Sequence, residues 1–317
     1  MARLVWKGTK SPLLIHLGWL LESGMLGLYW LIVSRFSQPK ASALGHRFMA
    51  WLGPKTQKHK HVIANLRMVC PEKSFEEIHQ LAIQAWGNLG AVLAEFPHLK
   101  KLGRDPSSQT IELVDINKDP EFLSRKKPFI FVAAHLGNWE VAGYAIQANG
   151  FPIDLVYSPF DNVHLEKMVQ ARRAFMGAGF ITKQNALRRM YSNLRKGRSV
   201  GLHVDVRVDD GDLFPFVGAD ATTTTAPAWL ALKAGVDIIP VVTERLEGSR
   251  FRVFFHPAIK VAEYSSAPKE EAIRAITTEM NRVIAGFVRT HPEHWLCTKR
   301  RWPKDVMKEL GVYSQNS

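Results

Sequence analysis

The sequence predicts an α/β fold: a mixed, mostly parallel sheet covered by helices on both faces, preceded by an N-terminal helical membrane-anchor region. Short apolar runs alternate with segments of helical periodicity between residues 111 and 290. The runs at 128–133 and 238–243 are continuously apolar, as in strands buried on both faces. With 317 residues and 46% hydrophobic content, the chain can bury a large core.

The periodicity places the elements in order. It predicts strands at 111–114, 128–133, 153–157, 199–206, 238–243 and 251–255. It predicts helices at 74–96, 140–149, 164–177, 187–195, 226–234 and 270–290. Gly150 and Gly235 follow two of these helices as terminators, and Thr225 is the predicted N-cap of the helix at 226–234.

The charge distribution indicates two regions, a basic helical region at 1–104 and an α/β core at 105–317. The formal net charge is +13, and residues 1–104 hold 14 Lys and Arg against 5 Asp and Glu. Such an excess favours an anionic partner, either phospholipid headgroups, nucleic acid or an acidic protein. The alternative is a generally basic solvated surface. The boundary is predicted near Gly103.

An apolar stretch at about 11–36 is the predicted membrane anchor. His16 and Glu22 interrupt it, and its uncharged run at 23–34 is shorter than the about 20 residues of a spanning helix. Its aromatic residues and the cations that follow favour an interfacial or steeply inserted helix. The basic cluster at 55–61 could add about 1 kcal/mol per cation at an anionic surface. The alternative is a helix packed on the protein's own core.

The segment AAHLGNWE at 133–140 carries the predicted chemistry. His135 follows a buried strand, and Glu140 lies one turn into the next helix, where it could reach one imidazole nitrogen. The other nitrogen would then accept a proton from a hydroxyl, which typically contributes about 10²–10⁴-fold in rate. The alternative is a packed histidine and a solvent-facing glutamate that the helix dipole favours.

Further binding candidates follow from position. Gly137 and Asn138 lie at a helix start, where backbone N–H groups favour an oxyanion. Asp205 ends an apolar strand at the carboxyl edge of the sheet, where ligands bind in open α/β folds; a turn-forming aspartate is the alternative. For Arg300 and Arg301, a structural salt bridge competes with a substrate role.

Ordered motifs across the chain resemble one family. Besides His135-x4-Glu140, they are Asn65-Leu66, Cys70-Pro71, Trp86-Gly87-Asn88, Glu95, Tyr157, Pro159, Asn162, Arg173, residues 194–197 leading to Asp205, 214–218, 223–225, 292–296 and 300–302. From about residue 10 to 304 the chain is similar to the late acyltransferases of lipid A biosynthesis. These are the lauroyl and myristoyl transferases acting on Kdo₂-lipid A precursors, within the H-x4-D/E acyltransferases. The resemblance implies that Arg173 reaches the site to bind a phosphate or an oxyanion, with a surface arginine as the alternative.

Two places depart from the family pattern. Asp205 is followed by Val206 where the family usually has glutamine, and Cys297-Thr298-Lys299 stands where a second aromatic residue and a histidine are usual. Both departures bear on the identity of the substrate more than on the type of reaction.

Three motifs are set aside. Residues 197–201 fit G-x-S-x-G, but Ser199 follows a helix and opens a strand, which reverses the order of a nucleophile elbow. The histidines at 59, 61, 291 and 294 lack companions at metal-ligand spacing. The threonines at 222–225 fit a capping turn as well as a phosphate loop. We expect no metal and no cofactor, and two cysteines give no disulfide framework.

The resemblance implies a membrane-associated acyltransferase. It would move an acyl group directly from acyl carrier protein or acyl-CoA to a hydroxyl of a lipid A precursor. It implies attachment to anionic lipids of the inner leaflet of the inner membrane, with the catalytic region facing the cytoplasm, and no nucleic-acid partner. One rival is an acyltransferase for glycerophospholipid or other glycolipid acceptors. Another is a non-catalytic protein that binds lipid or nucleic acid.

Overall fold

The computed structural model describes residues 11–101, 110–116, 127–209 and 211–313. Its helices are α1 Pro12–Val33, α2 Gln38–Leu52, α3 His59–Val69, α4 Phe75–Glu95, α5 Trp139–Ala148, α6 Val163–Arg173, α7 Ala186–Arg195, α8 Ala226–Ala234, α9 Lys269–Thr290 and α10 Lys304–Glu309. Its strands are β1 Ile111–Asp115, β2 Ile130–Ala133, β3 Ile153–Tyr157, β4 Gly179–Thr182, β5 Ser199–His203, β6 Asp212–Phe216, β7 Ala219–Thr223, β8 Ile238–Leu246 and β9 Arg250–Phe255.

Seven strands form one sheet in the order β1-β9-β8-β2-β5-β3-β4. All neighbours are parallel except β8 and β9, which are antiparallel. Strands β6 and β7 form a separate antiparallel hairpin. The predicted fold class, a mixed and mostly parallel α/β sheet, is confirmed.

Helices cover both faces of the sheet because the central strands are apolar on both sides. On one face, Ile130, Val132 and Ile238 join a core that includes residues of α7, α8 and α9. On the other, Phe131, Ile239 and neighbouring residues join residues of α1, α5 and α6. Strand β2 is therefore buried at the centre, and the residues that follow it emerge at the carboxyl edge.

Most predicted elements are found within a few residues of their predicted bounds, and Gly150 and Gly235 adopt the positive φ expected after a helix. Thr225 is the N-cap residue of α8, but its side chain makes no capping bond; Thr224 accepts from the Ala226 N–H instead. The predicted strand at 199–206 ends at His203. The sequence reasoning missed β4 and the β6–β7 hairpin, and the predicted boundary near Gly103 lies outside the described residues.

Helices α2 and α4 cross at a point where neither has a side chain. A Cβ on Gly45 would lie 2.3 Å from the Gly90 carbonyl oxygen, and one on Gly90 would lie 2.0 Å from that of Gly45. Only glycine at both positions allows the two backbones to approach this closely. The crossing brings Ser42 and Glu95 within hydrogen-bond distance, 2.7 Å apart.

Helix α1 lies along the protein with one side covered. Its Trp30 is buried and donates to the Leu93 carbonyl of α4 at 2.9 Å, and Ser23 and Glu22 contact Asn162 before α6. The opposite side exposes large apolar residues, and Phe36 and the outer face of α2 continue this surface: Leu13, Leu17, Leu20, Leu21, Met25, Leu28, Leu31, Ile32, Phe36, Leu44, Phe48 and Trp51. By length and composition, Pro12–Val33 could cross a membrane.

We expect Gly90→Ala to destabilise the protein by about 1–2 kcal/mol, because the added methyl group forces α2 and α4 apart. Thermal or denaturant unfolding of the purified protein in detergent measures the change. Gly286→Ala in α9 is the matched control, since a Cβ there meets no atom within 4 Å. It should leave stability unchanged or raise it by up to about 1 kcal/mol. Equal melting temperatures for the two variants would contradict the close crossing.

Candidate active site

Strand register brings His135 and Asp205 together. Strands β2 and β5 are parallel neighbours in which Ala133 pairs with His203. His135 and Asp205 each stand two residues beyond that pair, so they leave the sheet side by side at its carboxyl edge. The prediction that Asp205 lies at this edge is confirmed, although its strand is shorter than predicted.

The Asp205 carboxylate accepts three hydrogen bonds. The His135 backbone N–H donates to Oδ2 at 3.0 Å, Trp295 Nε1 donates to the same oxygen at 2.9 Å, and His135 Nδ1 lies 2.9 Å from Oδ1. A carboxylate can only accept, so Nδ1 carries the proton and Nε2 of the neutral imidazole is the basic nitrogen. The Asp205 side chain is 1% exposed but that of His135 is 31% exposed, which leaves the imidazole accessible.

The pKa values of His135 and Asp205 are both shifted in the direction that a general base requires. Burial lowers the pKa of His135, but the charge and hydrogen bond of Asp205, with a contribution from the charge of Glu140, outweigh burial and raise the pKa above its ordinary value. Burial raises the pKa of Asp205, but the charge and hydrogen bonds of His135 outweigh burial and hold it below its ordinary range. Asp205 therefore stays ionised at neutral pH.

Glu140 does not bind the imidazole, and this corrects the predicted geometry. Its two carboxylate oxygens accept from Arg173, from Nε at 2.9 Å and from a terminal nitrogen at 2.5 Å. Both side chains are largely buried, at 6% and 15% exposure. The orienting carboxylate of His135 is Asp205, and Glu140 acts on His135 through its charge. Arg173 is held beside Glu140 by this bidentate contact, and the phosphate or oxyanion role that the resemblance implies for it stays a prediction.

Gly137 and Asn138 shape the loop. The oxyanion role expected of their backbone N–H groups does not fit the contacts of Gly137, and for Asn138 it stays a prediction. The Gly137 N–H donates to the His294 carbonyl at 3.2 Å, so that donor is occupied. Its φ is +55°, and a Cβ there would lie 2.4 Å from the Thr243 carbonyl oxygen, so only glycine fits. The Asn138 side chain is buried; it caps α5 by accepting from the Glu140 N–H at 3.1 Å.

A buried ion pair that sequence reasoning missed supports the loop that contains Gly137 and Asn138. Glu95 is fully buried and pairs with both terminal nitrogens of Arg245 on β8. Asn138 donates to Glu95 at 2.7 Å, and Arg245 Nε donates to Asn88 at 2.7 Å. Asn88 in turn donates to the Gly137 carbonyl at 2.9 Å. One feature of the sequence could have indicated this pair. Glu95 directly follows the apolar run 89–94, and an unpaired charge buried there would be costly.

His203 is a further residue of the cluster that sequence reasoning missed. Its ring stacks on that of His135, with centroids 4.3 Å apart and planes at 27°. Burial, together with the neighbouring charge of His135, lowers the pKa of His203 to about 3. The stacked ring therefore stays neutral beside the imidazolium that forms when His135 accepts a proton.

The two arginines near the C-terminus occupy different places. Arg300 hydrogen-bonds Tyr313 and lies near His61, so the structure does not place it beside His135. Arg301 is fully buried, donates to the Thr222 carbonyl at 2.6 Å and to the Thr223 hydroxyl at 2.8 Å, and its charge acts on Asp205. The inward-facing cation of this pair is Arg301, and its contacts are hydrogen bonds to threonines rather than the salt bridge considered from the sequence.

Cys297 is buried beside this cluster. Burial and the charge of Asp205 raise the pKa of its thiol to about 12, so it is protonated at neutral pH and a poor nucleophile. Within the described residues, no three or more His, Cys, Asp or Glu side chains are arranged to hold a metal ion.

We expect Glu95→Gln to destabilise the protein by about 3–5 kcal/mol, because it leaves Arg245 buried without its counter-charge. Thermal and denaturant unfolding in detergent measure the loss. Glu279→Gln removes the partly exposed partner of the exposed Arg282 and serves as the control, with an expected change within about 0.5 kcal/mol. A Glu95→Gln variant as stable as this control would show that the buried pair does not support the fold.

Comparison with known proteins identifies the family. The family described as bacterial lipid A biosynthesis acyltransferase matches residues 9–304. A protein of Haemophilus influenzae named lipid A biosynthesis acyltransferase is 20% identical over 288 residues, which cover 88% of each chain. The matched span includes the cluster around His135 and both buried ion pairs. The chain belongs to the bacterial lipid A biosynthesis acyltransferase family.

Proposed function

We propose that this acyltransferase moves a fatty acyl group directly from a thioester donor to a hydroxyl of a lipid A precursor, with His135 as general base. The observation that carries the proposal is the hydrogen bond of His135 Nδ1 to the buried Asp205 carboxylate. That bond fixes the tautomer with a basic Nε2 and stabilises the imidazolium that forms on proton transfer.

In the proposed reaction, Nε2 of His135 accepts the proton of the acceptor hydroxyl as its oxygen attacks the thioester carbonyl. The new C–O bond forms and the carbonyl becomes a tetrahedral oxyanion. Collapse of this intermediate breaks the C–S bond, and the imidazolium returns its proton to the departing thiolate. The products are the ester and the free thiol, and the histidine is regenerated.

Arg173 is the proposed stabiliser of the oxyanion. The N–H of Gly137 is occupied by the His294 carbonyl, so the cation of the cluster is the better candidate. Glu140 binds two guanidinium nitrogens of Arg173 and fixes its position. We therefore assign Glu140 a positioning role through Arg173 and an electrostatic role on His135, where the sequence pointed to direct orientation of the imidazole.

Direct transfer is favoured over an acyl-enzyme. The buried Cys297 thiol has a raised pKa, and Ser199 is buried at the start of β5, where its hydroxyl accepts from the Phe129 N–H at 3.1 Å. Ser199 lies at the opposite end of β5 from the carboxyl edge, and the protonated Cys297 thiol is a poor nucleophile. A general base acting on the acceptor itself requires no such group.

The exposed apolar side of α1, with Phe36 and the outer face of α2, is the proposed membrane-binding surface. The opposite side of α1 is tied to the protein at Ser23 and Trp30, so the helix lies along the molecule. This arrangement favours insertion into one leaflet over a free-standing span. Lys55 stands 3.4 Å from the ring centroid of the exposed Trp51, a pairing suited to a headgroup region. We assign the surface to the inner leaflet of the inner membrane, with the active site in the cytoplasm.

Acyl carrier protein is the proposed donor. Such carriers are acidic, and the chain has a formal net charge of +13, which favours association by charge complementarity. The proposed acceptor is the hydroxyl of a hydroxyacyl chain on the lipid A precursor, in keeping with the family.

We expect His135→Ala to lower acyl transfer by about 10²–10⁴-fold, because it removes the general base. Asp205→Asn should lower the rate and move the acidic limb of the pH–rate profile to lower pH. Activity requires neutral His135 and is lost as the pH falls through its pKa; Asp205 raises that pKa, so loss of the carboxylate lowers it. Transfer from acyl carrier protein to a defined lipid A precursor, followed by mass spectrometry, measures both effects.

Asp209→Asn is the matched control, because Asp209 is 79% exposed and pairs with Arg207. It should keep the rate and pH profile of the unmodified protein. Near-normal turnover of His135→Ala, with folding verified by its melting temperature, would refute the assignment of the base. An unshifted acidic limb in Asp205→Asn would refute the orienting role of the carboxylate.

For the membrane, we expect Leu21→Asp combined with Leu28→Asp to move most of the protein from vesicles to the soluble fraction. Both side chains are more than half exposed on α1, and each buried leucine contributes about 1.5–3 kcal/mol to insertion. Co-sedimentation with phosphatidylglycerol-containing vesicles measures the partition. Leu310→Asp, at an exposed position directly after α10, is the control and should leave it unchanged. Equal vesicle binding by all three proteins would exclude α1 as the anchor.

A further inference from the structure

The basic charge of the α/β core is concentrated on α7 and on the residues directly before and after it. Residues 183–198, which include α7, hold six Lys and Arg and no Asp or Glu. The rest of 105–317 holds 22 Lys and Arg against 24 Asp and Glu, so it is close to neutral. A concentration of this kind produces a strong local potential rather than a mixed, solvated surface.

Five of these six cations are exposed: Lys183, Arg188, Arg189, Arg195 and Lys196. Among the described residues, none of the five forms a salt bridge, whereas Arg198 is paired with Asp154. On α7, Arg188, Ser192 and Arg195 follow one another at i, i+4 and i+7, so they share one face. Lys233 of α8 adds a further cation, 4.9 Å from the ring centroid of Tyr191.

This basic surface begins at the edge of the active site. Strand β4 ends at Thr182 on the same side of the sheet as β2, and the Lys183 N–H donates to the Tyr157 carbonyl at the end of β3 at 3.0 Å. The charge of Arg189 acts on the Tyr157 hydroxyl, and that of Arg173 does so too. Three strand spacings separate β4 from β2 and thus from His135, about 14 Å.

We propose that the basic surface of α7 docks the acidic carrier protein that delivers the acyl thioester; this assignment rests on the proposed function. The partner would bind with its acidic face along Arg188 and Arg195. Its thioester arm would cross the sheet edge past Tyr157 and Arg173 to reach His135. Charges at the rim of a protein–protein interface set the association rate and the specificity of binding.

A protein partner fits this surface better than a bilayer does. A helix that binds a membrane interface pairs its cations with exposed apolar residues. Met190 and Leu194 of α7 are buried, α7 packs against α8 and strands β3, β4 and β5, and the one large apolar residue that α7 exposes is Leu187, at 40%. Most of the exposed large apolar residues among those described lie instead on α1 and α2.

The test uses the full chain with Arg188→Glu combined with Arg195→Glu, and Lys260→Glu combined with Lys308→Glu as the control. Both control residues are exposed cations outside α7. We measure binding of a bacterial acyl carrier protein loaded with a dodecanoyl chain by fluorescence anisotropy. We also measure kcat/KM with this donor and with dodecanoyl-pantetheine, a small donor that lacks the carrier protein.

We expect the α7 variant to bind the carrier at least about tenfold more weakly, with a reduced dependence on salt. Its ratio of kcat/KM for the carrier-bound donor to that for the small donor should fall by a similar factor. The control should match the unmodified protein in both measurements. These results together support the docking surface.

Other outcomes separate this proposal from the proposed function. Carrier binding that is equal in the α7 variant and the control overturns the docking surface, even if transfer is normal. Loss of binding to phosphatidylglycerol vesicles with retained carrier binding overturns it too, because the partner is then the membrane. Carrier binding that depends on α7 without transfer from either donor keeps the docking surface and refutes the proposed reaction.

Discussion

The arrangement of the site depends on one buried carboxylate. Asp205 is fully buried, and its three hydrogen bonds join the end of β5, the loop after β2 and the C-terminal segment at Trp295. An ionised carboxylate is buried at a cost of several kcal/mol unless its acceptor sites are filled. The hydrogen bonds of Asp205 therefore both stabilise this junction and orient His135. A change that frees the imidazole from Asp205 also leaves a buried charge short of partners.

A second buried carboxylate supports the same loop from its other side. Glu95 connects α4 with Arg245 of β8 and with Asn138 directly after Gly137. The close crossing of α2 and α4 at Gly45 and Gly90 adds Ser42 to this network. Helix α2, which carries part of the proposed membrane-binding surface, is thus tied to the loop that carries His135. The Asp205 and Glu95 carboxylates are both buried, and each links elements that are distant in sequence. Together these links fix the loop that carries His135.

The sequence was sufficient for the fold class and for the position of His135 after a buried strand, but not for the hydrogen-bond partner of His135. A continuous apolar strand followed by a helix start predicts where His135 leaves the sheet. The partner is set by strand order, because β5 and not α5 supplies the adjacent carboxylate, 70 residues away. The spacing within one segment pointed to Glu140, but its carboxylate forms an ion pair with Arg173 instead. Strand β4 was missed because it is four residues long and begins at Gly179, and the β6–β7 hairpin because its threonines also fit a capping turn.

The charges around His135 raise its pKa and keep its charged neighbours in one protonation state. Burial opposes the charge of Arg173, but its contacts with Glu140 raise the pKa of the guanidinium, so Arg173 remains charged. The pKa of Asp205 is held low and that of His203 falls to about 3, so neither changes state with His135. Asp205 and Glu140 supply negative charge, and Arg173 and protonated His135 balance it. Proton transfer to His135 therefore completes two ion pairs in a region of low exposure, where each is stronger than in water. An arrangement that stabilises the charged form of the base more than its neutral form assists the step in which a hydroxyl loses its proton.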